Sequence, residues 1–235
     1  MLTRSFLALA AATFLLSACA QGGADYSSAA LDSDEQKASY GIGLNMGGQL
    51  APAGSSLDRA AFMRGIEDAM TEADPAIPAE EIQVALNAFS QMVNERMTAE
   101  REEESTANRD AGAAFLAENE AREGVMVTES GLQYEVIAEG DGNTPGPTDA
   151  VLLHYRGTLV DGTEFDSSMD GEPVTFNVGQ VIPGFSEALQ LMSPGANYRI
   201  VIPSDIAYGP NGSPPVIGPD ATLIFELEMF EVVGN

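Results

Sequence analysis

His154-Tyr155-Arg156-Gly157, Asp161-Gly162-Thr163-Glu164-Phe165-Asp166-Ser167-Ser168, Val181-Ile182-Pro183-Gly184-Phe185, Ala207-Tyr208-Gly209 and Ala221-Thr222-Leu223-Ile224-Phe225 follow one another between residues 151 and 235. Aromatic and β-branched residues crowd these segments. Residues 132–137 alternate apolar with polar, and 150–160, 174–178, 198–202 and 222–232 repeat the enrichment between Gly, Pro and Asp clusters. Such a succession predicts strands. One short helix is expected over 185–192, where Phe185, Leu189 and Met192 share a face. A sheet of this kind needs that helix to cover one of its faces.

The usual reactive groups are scarce. The chain has one histidine and one cysteine. No group of His, Cys and carboxylates has metal-ligand spacing, and no Gly-rich loop leads from a strand into a helix to hold phosphate. His154 lies on a strand beside Tyr155 and reads as a structural histidine rather than a base. Hydrolase, kinase and metalloenzyme chemistry have little support, so neither metal nor cofactor is expected. The formal net charge is −26, and both halves are acidic: residues 19–126 hold 20 acids and 7 bases, residues 127–235 hold 16 and 2. Nucleic acid and anionic head groups are poor partners for such a surface. Solubility is the plain reading of the acidity; a preference for basic or neutral polypeptides is the sharper one.

Arg4 precedes an apolar run from Phe6 to Leu16, and Leu16-Ser17-Ala18-Cys19 closes it. Residues 1–18 thus have the plan of a signal peptide, too short to span as a membrane helix. Leu-Ser-Ala-Cys resembles a bacterial lipobox, in which Cys19 is lipidated and becomes the mature N-terminus; a buried free thiol is the other reading. Ala20, by analogy with lipoprotein sorting, points to an anchor in the outer membrane facing the periplasm, with the cell surface as the other face. Residues 19–32 lack periodicity and read as a flexible tether.

Ser33-Asp34-Glu35-Gln36 predicts a capping box opening a first helix that runs to about Leu50. Gly41, Gly43, Gly47 and Gly48 weaken it by up to roughly 1 kcal/mol each, which is tolerable where another backbone packs close. A second helix is expected over 57–71, and a third from Ala79 to about Glu123. Ile82, Leu86, Phe89, Val93 and Met97 share one face of the third helix, but beyond Thr98 it turns polar on every side. A helix polar all round generally bridges through solvent. The expected organisation is therefore a helical domain at 33–98, a linker stretch of the long helix at 99–123, and a β-rich domain at 124–235. Met46, Met63, Met70, Met92 and Met97 suit either an adaptable interface or filling within the chain's own core.

The five ordered segments closely resemble the FKBP family of peptidyl-prolyl cis/trans isomerases. Ser39-Tyr40-Gly41-Ile42-Gly43-Leu44 and Gly47-Gly48-Gln49-Leu50 resemble the N-terminal dimerisation domain of its Mip-like and FkpA-like bacterial members. The resemblance implies an α+β fold: an all-helical dimerisation domain, a long connecting helix, and a curved antiparallel sheet wrapped around one short helix. It implies a homodimer acting on proline-containing unfolded or exported polypeptides. Residue by residue, it places Tyr155, Asp166, Phe225 and Tyr208 at the catalytic pocket and Phe165, Phe176, Val181, Ile182, Phe185 and Ile217 against substrate. Phe185 becomes the floor beneath the proline ring. Tyr208 and the Ile182 amide become hydrogen-bond donors to substrate, and Asp166, held by Tyr155 or other donors, shapes the field near the carbonyl.

Three positions depart from the commoner family pattern. Phe185 stands where many members have Trp, Pro215 where glycine is common, and Gly218 where proline is common. These changes alter floor area and loop stiffness; they bear on substrate preference and on affinity for macrolide inhibitors, the ligand class the family brings in.

Prolyl isomerisation needs none of the missing groups. Rotation destroys amide resonance at a barrier of about 18–20 kcal/mol, and no covalent bond breaks. A site that fits the twisted amide better than the planar one is sufficient. The alternative use of the same chain is a dimeric client-binding module, a chaperone in which two linked sites gain effective concentration.

Overall fold

The computed structural model describes residues 29–233. The predicted signal peptide, Cys19 and the tether up to residue 28 lie outside the described residues. The chain divides into two units, one ending at Val93 and the other beginning at Asn94.

The first unit is helical. Helix α1 (Asp34–Leu50) opens on the expected capping box: Ser33 Oγ accepts from Gln36 N at 3.2 Å, and Gln36 Oε1 accepts from Ser33 N at 2.9 Å. Two orphan donors of the first turn are thereby satisfied. Helix α2 (Arg59–Met70) is capped by Asp58, which accepts from Ala61 N at 2.9 Å. Helix α3 (Ala79–Glu120) crosses the boundary into the second unit. Neither α1 nor α2 contains a buried residue. Tyr40, Ile42, Leu44 and Met46 on α1, and Val84 and Leu86 on α3, are all exposed. A Cβ added at Gly41, Gly43, Gly47 or Gly48 would meet nothing within 4 Å. The glycines therefore leave backbone bare, with no neighbour among the described residues filling the space.

The second unit is built on a seven-stranded antiparallel sheet. Its strands are β1 (Val125–Val127), β2 (Gln133–Ala138), β3 (Ala150–Leu159), β4 (Glu164–Ser167), β5 (Val174–Asn177), β6 (Asn197–Ile202) and β7 (Leu223–Val233). The order is β1-β2-β6-β7-β3, with β4 pairing the second half of β3 and β5 the first. Five of these strands match the expected segments; β1, of three residues, and β4, with Phe165 as its one apolar residue, are not among them.

Period-two alternation sorts the sheet into an inner and an outer face. Val151 and Leu153 on β3, Ile200 and Ile202 on β6, and Leu223, Leu227 and Met229 on β7 are fully buried. Helix α4 (Pro183–Leu191) covers this inner face with Gly184, Phe185, Ala188 and Leu189. Gly184 is needed for the approach, because a Cβ there would run into Ile202 Cγ2.

The stretch 99–123, expected to bridge through solvent, is arranged differently. Within the second unit α3 buries Ser105, Gly112 and Asn119. Asn119, 4 % exposed, donates to Gln133 Oε1 at 2.8 Å and accepts from Arg122 and Arg199, each at 2.9 Å. Gln133 Nε2 donates back to the Leu116 carbonyl at 2.9 Å, and Arg199 lies over the Phe115 ring at 5.9 Å. Polar residues make this contact through matched hydrogen bonds, so no apolar stripe signals it. Asn119→Ala leaves buried Gln133 and half-buried Arg199 each short of a bond, while exposed Arg122 keeps Glu135. It is expected to cost about 1–3 kcal/mol, read as a lowered midpoint in chemical denaturation.

Candidate active site

An open cavity of about 270 Å³ lies where the cover provided by α4 begins. Val181 and Ile182 line it just before the helix, and Phe185 lines it from the first turn. The strands contribute Tyr155 (β3), Phe165 and Asp166 (β4), Phe176 (β5) and Phe225 (β7), and the loop after β6 contributes Tyr208. Nine of the ten residues expected from the sequence therefore line one cavity.

The tenth does not. Ile217 is 6 % exposed and belongs to the hydrophobic core, with its N–H and carbonyl both paired to Ser213. Ile217 does not line this cavity, although Phe185 and Phe225, similarly buried, do. Gln180 does line the cavity, at the end of a 3-10 turn (Val178–Gln180). Nothing in its sequence context marks it, since a polar residue in a turn is unremarkable.

Five rings run through the site in one chain of contacts. Tyr155 meets Phe176 edge-on at 5.3 Å, and Phe176 meets Phe185 at 5.7 Å. Phe185 meets Phe225 at 5.0 Å, and Phe225 meets Phe165 at 5.5 Å with an interplanar angle of 84°. Edge-to-face pairs of this kind contribute about 0.5–1.5 kcal/mol each beyond the area they bury. They also fix the rings as walls. Phe185 and Phe225 are buried, whereas Tyr208 remains 41 % exposed at the rim.

Register explains how consecutive residues reach the same cavity. Gly157 pairs with Asp166 and Thr158 with Glu164, so Phe165 is the extra residue of a β-bulge. Adjacent strand residues normally face opposite ways; a bulge re-aims one of them, and here both Phe165 and Asp166 line the site. Gly157 sits between Asp166 on one side and Phe225 on the other. A Cβ at this position would lie 2.5 Å from Phe165 Cε2 and 2.9 Å from Phe225 Cε1. The glycine of His154-Tyr155-Arg156-Gly157 is thus a space left for two rings.

The polar side of the cavity is small. Tyr155 Oη donates to Asp166 Oδ2 at 2.6 Å, and Asp166 Oδ1 accepts from Ser167 N at 3.0 Å. Burial first, then the hydrogen bond and negative charge of Asp166, push the Tyr155 phenol up to about 12. Tyr155 therefore keeps its proton at neutral pH and stays a donor. His154 stands away from the cavity: its Nδ1 is 3.0 Å from Ser168 Oγ, and its ring packs edge-on against Phe230. Among the described residues no cluster of His, Cys and carboxylates could hold a metal ion.

Comparison with known proteins bears on the whole described chain. Residues 35–136 match the model of the domain amino-terminal to FKBP-type peptidyl-prolyl isomerase, and residues 142–230 match that of the FKBP-type peptidyl-prolyl cis-trans isomerase. The FKBP-type 22 kDa peptidyl-prolyl cis-trans isomerase of Escherichia coli is 44% identical over 204 residues, covering 86% of this chain and 97% of that protein. The outer membrane protein MIP of Legionella longbeachae is 39% identical over 203 residues, covering 86% of this chain and 87% of that one. The crystal structure of FkpA from Escherichia coli matches with a TM-score of 0.66 at 33% identity, covering 87% of this chain and 99% of that chain.

Gly157→Ala tests the wall geometry. Forcing Phe165 and Phe225 apart is expected to cost about 1–3 kcal/mol of stability and to lower turnover at the cavity, read by denaturation and by a prolyl-peptide isomerisation assay.

Proposed function

The chain belongs to the FKBP-type peptidyl-prolyl cis-trans isomerases, and on that premise we propose how its cavity accelerates rotation about the Xaa-Pro bond. The observation that carries the reading is the five-ring wall around one hydroxyl–carboxylate pair. The substrate's pyrrolidine ring seats on Phe185, held between Tyr155, Phe165, Phe176 and Phe225. Apolar walls strip water from the substrate carbonyl and so remove hydrogen bonds that favour the planar amide. In the twisted amide the proline nitrogen regains its lone pair and the carbonyl oxygen loses partial charge. A dry, ring-lined site fits that state better than the planar one, which lowers the barrier without covalent chemistry.

The polar groups orient the peptide. Tyr208 donates to one substrate carbonyl and the Ile182 amide to another. Tyr155, protonated at neutral pH, holds Asp166 by its 2.6 Å hydrogen bond so that the carboxylate faces the carbonyl carbon. Val181 completes the apolar side.

The first unit supplies a second part of the proposal. Helices with no buried residue and bare glycine backbone are stabilised by a second copy of themselves, which covers Tyr40, Ile42, Leu44 and Met46. A homodimer is the arrangement that provides this cover. The lipobox-like Leu16-Ser17-Ala18-Cys19 supports a lipid anchor, and the name of the Legionella relative, outer membrane protein MIP, supports its placement there. Exported polypeptides are then the clients. A client-holding chaperone with little isomerase activity is the competing reading, favoured by the same uncovered apolar residues.

Each part of this reading has its own test. In cis-to-trans relaxation of an Xaa-Pro peptide, Phe225→Ala and Asp166→Ala are each expected to lower kcat/KM by on the order of tenfold or more. Full activity in both would remove the pocket assignment, and aggregation suppression without isomerisation would favour the chaperone. Light scattering of a 20–235 fragment is expected to give twice the monomer mass, and Cys19→Ser to move the full chain from the membrane fraction to the soluble one.

A further inference from the structure

Tyr208 lines the pocket from the long irregular stretch between β6 and β7, outside the strands and the start of α4 that carry most of the lining. It immediately precedes the 3-10 turn Gly209–Asn211, and the chain does not return to regular structure until Leu223. A loop of this length has no ladder to hold it. Its fixed points come instead from α3, within the same unit.

Four side chains of α3 make the attachment. Arg101 Nη2 donates to the Pro210 carbonyl at 2.8 Å and to Asn211 Oδ1 at 3.1 Å. Asn108 Nδ2 donates to the Pro219 carbonyl at 2.8 Å. Ser105 Oγ donates to Asp220 Oδ2 at 2.6 Å, with both side chains buried, and Arg109 lies 3.8 Å from the same oxygen. One turn further along, Gly112 lets Thr222 approach so closely that a Cβ there would run into its hydroxyl. Gly218 makes the corresponding space on the loop side, where a Cβ would run into the Glu104 carboxylate.

Asp220 is the joint. Its φ is +55, a conformation that costs a non-glycine residue and persists where surroundings hold it. Its backbone N–H donates to the Gly209 carbonyl at 2.9 Å, one residue from Tyr208. The side chain is thus gripped by α3 while the main chain grips the start of the Tyr208 turn.

We infer that α3 positions Tyr208 through Asp220, which makes Ser105 and Asp220 positioning residues for the isomerase pocket. The inference rests on the proposed role of Tyr208 as a hydrogen-bond donor to substrate. Loosening the Ser105–Asp220 contact lets the loop carry the Tyr208 hydroxyl away from the substrate carbonyl while the five rings stay in place. Substrate binding weakens, and the rotation step within the bound complex changes little.

The test uses the full chain and separates KM from kcat in prolyl-peptide isomerisation. Ser105→Ala and Asp220→Ala are expected to raise KM on the order of three- to tenfold with kcat within about twofold of wild type. Asp220→Asn, which keeps an oxygen acceptor for Ser105, is expected to recover most of that loss. Asn119→Ala, which breaks the attachment of α3 to the sheet instead, is expected to lower stability with KM unchanged. In a Tyr208→Phe background Ser105→Ala is expected to add nothing further, because both changes remove one interaction. A wild-type KM in Ser105→Ala, or effects that multiply with Tyr208→Phe, would overturn the positioning while leaving the pocket intact. A Tyr208→Phe variant with wild-type KM would overturn the role of Tyr208 and this inference together. If Asp220→Ala does not fold, Ser105→Ala and Asp220→Asn still decide the matter.

Discussion

Keeping one face of a seven-stranded sheet dry with a single nine-residue helix is the constraint from which the rest of the second unit follows. Fully buried aliphatic residues on β3, β6 and β7 leave water only because α4 lies across them. Burial of this kind contributes about 25 cal/mol per Å² of apolar surface. So short a helix does not cover everything. Where it begins, at Val181, Ile182 and Phe185, the uncovered remainder is a cavity walled by rings. Site and core are thus one packing problem, and Phe185 belongs to both.

This origin suits the chemistry. Rotation about an amide bond asks for neither a nucleophile nor a metal; it asks for a surface that stays put while half of a peptide turns. Ring contacts from Tyr155 through to Phe165, three edge-to-face and one tilted, make the walls mutually supporting. The glycine at 157 and the bulge at Phe165 spend local backbone regularity on placing two rings and a carboxylate together. Tyr155 shows the same logic on the polar side: burial and Asp166 keep its phenol protonated, so the pair is a fixed hydrogen bond across the neutral range.

The second half of α3 packs by a different principle. With no apolar stripe to bury, it attaches by satisfied polar contacts around Asn119 at one end and Asp220 at the other. Buried polar groups of this type are costly when unpaired and specific when paired. An apolar seam could slide; a set of matched donors and acceptors sets one register. That register holds the loop that carries Tyr208 to the part of α3 lying in the same unit.

Much of this was legible beforehand. The capping box at Ser33, the three N-terminal helices and five of the seven strands come from periodicity and turn chemistry. The pocket residues, nine of which line the cavity, come from the resemblance that the ordered aromatic segments carry. Strands β1 and β4 are not legible: β1 has three residues, and β4, Glu164-Phe165-Asp166-Ser167, holds a single apolar residue, whereas the equally short β5 is marked by Val174, Thr175 and Phe176. Ile217 is absent from the cavity lining although it is as buried as Phe225, a difference that burial pattern alone does not carry. The docking of 99–123 was also hidden, because hydropathy records apolar faces, whereas Ser105, Asn108 and Asn119 dock through pairings whose partners lie far away in sequence. Residue order by itself determined the class of fold, the family and the kind of chemistry, all of which depend on local pattern and residue type. Only the tertiary structure decided which side chains share a wall, where a bulge turns Phe165, and what holds Tyr208, because those depend on register and long-range contact.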